Sequence, residues 1–438
     1  MAVVPLEAPP EGGPPSSPPP ERRRAGKVAL ALAVVLTLVA NAGAMVLLDD
    51  ADEESVLAQR PSERGGESPP PPPAAPEPTA SSAPSSTRAT STTVPDTPLA
   101  REVAALSRFV EDQRELEFLR PVEVQVLTDE PFLALLFADA EENREETDQS
   151  EKVLRALGLI EPGVDLFEAF TSFYGDAVLG FYDAETDQLV IRGSELSAYT
   201  RTTLVHELAH ALDDQHFELY RPEVYDADDE SSLAFSSLIE GVSLAVEFAY
   251  RQTLSAAEKE ESARLAAEFA GRAGASPIPS IVSSLVQFPY LAGPSFVGAL
   301  VEEGREPRID QAYRQPPTTS EEILDPSVYL RGEQPVTVAV PAAGGPVVDE
   351  GTYGEWALSL TLAELIGSQA GTQAANGWGG DSYVAWDEAG RTCVRMAYAM
   401  DSPGDLVELE RAWRQWAEVH GDATVEAGSA LVTVTACG

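Results

Sequence analysis

The chain has 438 residues, enough for two or three ordinary domains, and 43% of them are apolar and available for cores. Its formal net charge is −43, from 72 acidic against 29 basic residues, and only three of the basic residues are lysine. A surface this negative repels phosphate backbones and argues against nucleic acid as a partner, while two cysteines are too few for a disulfide scaffold and are not spaced as a metal knuckle.

The first 26 residues are Pro-rich and low in complexity, which predicts a disordered cytoplasmic tail. Arg22, Arg23, Arg24 and Lys27 then precede an uncharged run of 21 residues, VALALAVVLTLVANAGAMVLL. As a helix that run is about 32 Å long, enough to cross a bilayer core of about 30 Å. The basic cluster stays on the cytoplasmic side, so a single anchor over 27–48 places the rest of the chain outside the cytoplasm. Ala40-Asn41-Ala42 also has the small-x-small form of a signal-peptide cleavage site, and both readings export the chain. Residues 49–98 are rich in Pro, Ser and Thr and predict an extended stalk that holds a folded part away from the membrane.

From residue 99 the pattern becomes globular, and we place one unit over 99–340 and an α+β subdomain over 341–438. LAREVAALSRFVEDQRELE reads as an amphipathic helix and VEVQVLT, at 122–128, as an alternating strand. Helices cover 130–158, and VLGFYDAETDQLVIR, at 178–192, is two short strands joined by a polar turn, a hairpin signal.

The next helix is predicted over 197–217 with Ser197 as its N-cap, and it holds three of the four histidines. His206 and His210 are one turn apart and share a face; Glu207 lies about 100° round the helix. In His-Glu-x-x-His, two imidazoles bind zinc and the carboxylate between them handles the proton of a zinc-bound water. Such a centre needs a third protein ligand. The following helical pattern, 231–254, has an apolar stripe of Phe235, Leu238, Ile239, Val242 and Val246, and Glu240 sits at its edge. We take Glu240 as that ligand, with Glu247 two turns on as the fallback. Gly241 permits a close helix approach, expected to be that of Glu240 to the His206 helix. Asp213 and Asp214 are candidates to orient the histidines. His216 points away from this face, and His420 is expected at the surface.

Residues 278–332 read as helices with loops, and Thr319 or Ser320 offers a cap for the helix at EEIL. From 350 the order is helix, a GWGGD loop, strands SYVAWDE and TCVRMAYAM, helix, and strand SALVTVTAC, which predicts a small antiparallel sheet with helices. All five tryptophans fall here and are assigned to core packing. Cys393 and Cys437 lie on strands that can be neighbours, and outside the cytoplasm they would form a disulfide.

His206, Glu207, His210 and Glu240 resemble the zincin metallopeptidases of gluzincin type, in which His-Glu-x-x-His is followed by a glutamate on a later helix. The phrases VLGFYDAETDQLVIRG, VHELAHALDDQHF, FPYLAGPSFV, PPTTSEEILDPSVYL and GWGGDSYVAW are similar to a group of uncharacterised, membrane-anchored bacterial proteins with the same order of motifs. Members of that group often carry His where this chain has Asp325, so no role of that histidine transfers. The resemblance implies an α+β, zincin-like fold, mostly helical with a small mixed or antiparallel sheet. It further implies Zn2+ held by His206, His210 and Glu240, with Glu207 as general base in the hydrolysis of a peptide or protein substrate. The strand QLVIR would be the edge strand that aligns the peptide, and Tyr182, Tyr250 and Tyr290 would be candidates to stabilise the oxyanion. A catalytically silent cell-surface scaffold, and a hydrolase of a non-peptide amide of the cell envelope, are the alternatives.

Overall fold

The computed structural model describes residues 97–438 except 139, 195, 226–228 and 274–277. The tail, the 27–48 helix and nearly all of the stalk lie outside the described residues. The first helix, α1 (Pro98–Arg114), starts where Thr97 accepts from the Ala100 N–H at 3.1 Å and ends at Glu115 in the left-handed region. Strand β1 (Val124–Leu127) and helix α2 (Asp129–Leu136) follow, then α3 (Arg144–Ala156) and α4 (Leu166–Ala177).

The hairpin is present: β2 (Gly180–Asp183) pairs antiparallel with β3 (Gln188–Arg192), and Asp187 in the turn takes φ 57°. β1 pairs with β3 in parallel, Val124 beside Leu189, so the sheet order is β1-β3-β2. This corrects one expectation. QLVIR is the central strand, because β1 takes its other side; the free edges belong to β1 and β2.

Next come α5 (Ala198–Phe217), the short α6 (Pro222–Tyr225), α7 (Asp229–Thr253), α8 (Ala256–Ala273), α9 (Ser280–Gly304), α10 (Glu306–Arg314), α11 (Ser320–Leu324) and α12 (Pro326–Arg331). Ser197 caps α5 as expected, accepting from the Thr200 N–H, and Thr319 caps α11 in a reciprocal capping box with Glu322. α7 and α9 are long and apolar enough to cross a membrane by length and composition. Here α7 packs against α5, α9 and α11, and its stripe of Phe235, Leu238, Ile239, Val242 and Val246 is buried.

The C-terminal layer holds β4 (Val347–Gly351), α13 (Gly354–Ile366), α14 (Ser368–Ala375), β5 (Trp378–Glu388), β6 (Arg391–Met400), α15 (Pro403–His420), β7 (Ala423–Ala427) and β8 (Val432–Cys437). Its five strands pair antiparallel in the order β4-β5-β6-β8-β7. The GWGGD segment expected as a loop supplies the start of β5, with a register shift between Trp378 and Gly380. Trp378, Trp386, Trp413 and Trp416 are fully buried, and Trp356 stacks on Phe288 with centroids 5.0 Å apart, so the tryptophans are core residues. Cys393 and Cys437 are register partners on β6 and β8 and are joined by a disulfide. His420 is part-buried against Trp416 and hydrogen-bonds the Ala156 carbonyl, so it is a packing residue where a surface one was expected. The molecule is α+β, with a helical half and a smaller sheet-bearing half. Glu230, at the start of α7, joins them: it accepts from the Ser320 hydroxyl at 2.6 Å, and that hydroxyl accepts from the Trp356 N–H at 3.0 Å.

Candidate metal centre

Three packed elements build the site. α5 presents His206, Glu207 and His210; α7 lies against it and presents Glu240, Ser243 and Glu247; β2 crosses α5 from the sheet side. The crossing is close. A Cβ on Gly180 would come within 2.9 Å of the Thr203 methyl, one turn before Glu207.

His206 Nε2 lies 3.1 Å from Glu240 Oε2 and 3.0 Å from His210 Nε2, and His210 Nε2 is 3.7 Å from the same Glu240 oxygen. The two rings meet edge to face with centroids 4.6 Å apart. His206, His210 and Glu240 each offer one atom to a group spanning no more than 4.8 Å, and such a group can hold a metal ion. All three are buried, at 0, 1 and 0% exposure. Burial of so many ionisable groups without partners is costly. Yet Glu240 Oε1 has no hydrogen-bond partner among the described residues, and neither has Glu207 Oε2.

Protonation follows from these surroundings. Burial works against charging His206, but the Glu240 and Glu247 carboxylates on its two nitrogens hold it well above the usual histidine range. Burial, with the His206 charge beside it, pushes His210 well below that range. Burial raises Glu207 to about 8, against the opposing pull of His206; the Tyr182 backbone N–H also donates to its carboxylate. Burial raises Glu240 too, countered by His206 and by a hydrogen bond from the Tyr290 hydroxyl.

Four expectations are revised by the packing. Glu247 does not join the ligand group: its Oε2 sits 3.1 Å from Nδ1 of His206, on the far side of the ring from Glu240. Asp213 does not orient a histidine but accepts from Arg114 Nε at 2.9 Å and from the Tyr313 hydroxyl at 2.8 Å. Asp214 accepts from the Tyr182 hydroxyl at 2.8 Å and from the Leu219 N–H, just past the end of α5, at 2.8 Å. Gly241 faces α9: a Cβ there would come within 2.5 Å of the Gly293 carbonyl, and one on Gly293 within 2.2 Å of the Ser237 oxygen. This contact seats Tyr290, one turn before Gly293, beside Glu240.

Among the tyrosines, Tyr290 is therefore at the site, Tyr182 reaches it by its backbone, and Tyr250 is turned to Arg201 and Phe109. His216 Nε2 donates to the Glu117 carbonyl at 2.9 Å, away from the site as expected. Ser243 escaped the sequence reading. Its hydroxyl lies 2.9 Å from His210 Nδ1, and its position three residues after Glu240 and four before Glu247 is the signal that was available.

Comparison with known proteins adds little at this site. Residues 343–436 match the model of a domain of unknown function, DUF8575. No curated protein matches the chain. A crystal structure of a candidate hydrolase with a novel fold from Chloroflexus aurantiacus is similar to 54% of this chain over 89% of its own, at 18% identity and a TM-score of 0.37.

Proposed function

We propose that the chain is a membrane-anchored, extracytoplasmic zinc metallopeptidase, with His206, His210 and Glu240 as ligands and Glu207 as general base. The observation that carries this reading is the buried cluster of two imidazole Nε2 atoms and one carboxylate beside a second carboxylate with a free oxygen. Tetrahedral zinc with bonds of about 2.0–2.1 Å separates neighbouring ligand atoms by about 3.3 Å. The separations of 3.0, 3.1 and 3.7 Å bracket that value, and Glu240 Oε1 is a buried acceptor that a cation would satisfy.

When bound, zinc would polarise the scissile carbonyl and lower the pKa of a water. The chain's own groups supply the rest. The Tyr182 N–H fixes the Glu207 carboxylate, leaving Oε2 to receive a proton and return it to the leaving amine. Tyr290 holds Glu240 in place by its hydroxyl. β2 provides a sheet edge beside the site for an extended peptide. The 27–48 segment supports anchoring, and the Cys393–Cys437 disulfide suits an oxidising compartment.

One observation favours the second reading, a closed metal site in a binding scaffold: Glu207 is only 2% exposed and the ligands no more than 1%. Both are tested by zinc stoichiometry of the purified full chain, with cleavage of a mixed peptide library, for wild type and Glu207→Gln. We expect one zinc in each and a loss of cleavage of about 10²–10⁴-fold in the variant. Zinc in both with cleavage in neither supports the scaffold, and hydrolysis unaffected by chelation overturns the metallopeptidase.

A further inference from the structure

Each metal-facing imidazole has a second nitrogen, and α7 reaches both. Glu240, Ser243 and Glu247 are three and four residues apart and form one stripe on that helix. Glu240 meets His206 at Nε2; Glu247 meets the same ring at Nδ1, 3.1 Å away; and Ser243 meets His210 at Nδ1, 2.9 Å away. Ser243 is 0% and Glu247 4% exposed, so neither contact is diluted by solvent.

We propose that Ser243 and Glu247 are positioning residues for the metal, and that they make its two histidine ligands unequal. The inference rests on the metal reading above. An acceptor at Nδ1 keeps the proton on that nitrogen and leaves the Nε2 lone pair to the ion, and it locks the ring against rotation. The acceptors differ in kind. A carboxylate pulls on the Nδ1 proton and makes His206 the stronger donor, whereas the neutral Ser243 hydroxyl chiefly fixes the angle of the His210 ring. One helix thus supplies a ligand and both ring supports, so a shift of α7 along α5 would disturb all three contacts together.

The test uses the purified full chain as wild type, Glu247→Gln and Ser243→Ala. Zn2+ affinity is read by competition with a coloured chelator, the Co2+-substituted form by its visible absorption, and the metal-free form by thermal unfolding. Glu247→Gln should weaken Zn2+ by about 10–100-fold and shift the Co2+ bands. Ser243→Ala should weaken it by less than about 10-fold, with a smaller band shift. Metal-free melting should be unchanged in Ser243→Ala and lowered in Glu247→Gln, which loses the buried contact to His206, so affinities are compared at a temperature where every metal-free form is folded. Wild-type affinity and spectra in Glu247→Gln overturn the positioning role while leaving the metal centre intact. A drop in metal-free melting with wild-type Zn2+ affinity and Co2+ bands would show that Glu247 only packs. No Zn2+ or Co2+ binding by wild type overturns the metal reading itself.

Discussion

The two halves of the molecule both bury carboxylates, but they treat them differently. In the sheet-bearing half, Asp381 accepts from the Tyr353 and Gly354 N–H groups and from Trp378 Nε1, and Asp349 accepts from the Tyr383 hydroxyl. Those carboxylates pin a helix N-terminus and a sheet edge. In the helical half, the Arg114–Asp213–Tyr313 contacts are closed in the same way, but nearly two turns back along α5 Glu207 keeps a bare oxygen, as does Glu240 on α7. A buried polar group that is satisfied marks a fold device; one left bare where ligand atoms converge marks a place for something else.

If that division is right, damage to the sheet-bearing half should cost stability without disturbing the His206–His210–Glu240 cluster. Trp413 is fully buried, edge to face with Trp416 at 4.9 Å and tilted on Tyr398 at 5.9 Å. Trp413→Ala should destabilise folding by about 3–5 kcal/mol, measured by denaturant titration, with zinc stoichiometry of the folded fraction unchanged. Loss of zinc from protein that is still folded would show that the halves are not independent.

The reverse case is a small change in the helical half that moves the centre. Gly293→Ala puts a methyl against the Ser237 carbonyl where α7 and α9 touch. Overpacking of this kind costs about 1–3 kcal/mol. Because Glu240 is four residues before Leu244 and directly beside Gly241 on α7, and Tyr290 rides on α9, the same substitution should also lower Zn2+ affinity. Isothermal titration against the variant measures this; unchanged affinity with lowered stability would detach the helix crossing from the site.

What the sequence disclosed divides along similar lines. Ser197 as a cap, the α5 face carrying His206 and His210, the α7 stripe and the 178–192 hairpin are all local patterns of a few turns or one reversal, and each is in place. What stayed hidden depends on partners far away in the chain. Asp213 looked like a neighbour of His210 until Arg114, 99 residues upstream, closed on it. QLVIR looked like an edge until β1 paired with it across more than 60 residues, and Gly241 gave no sign that its partner would be Gly293. Helical periodicity states which face is apolar and does not name what covers it.

The smallest expected effect concerns the seam between the halves. There Glu321, Asp325, Glu355, Asp401 and Asp405, with Arg331, line a cavity of about 900 Å³. Burial, then the charges of Glu355, Asp401, Glu333 and Glu322, raises Glu321 to about 8; burial, then Asp325 and Asp401, raises Glu355 to about 7. A carboxyl whose folded pKa lies above its unfolded value binds its proton more tightly in the fold. Its contribution is therefore full below about pH 4.5 and is lost as pH rises towards 8. Glu321→Gln keeps the shape and removes one of the charges. Its melting temperature should equal that of wild type near pH 5 and exceed it by a few degrees near pH 8.5, a difference kept small by the solvent that reaches this carboxylate. Scanning calorimetry at the two pH values checks this. An equal difference at both would mean that the seam tolerates its crowded carboxylates as an ordinary solvated surface does, and that the strain of buried charge belongs to the metal-side half alone.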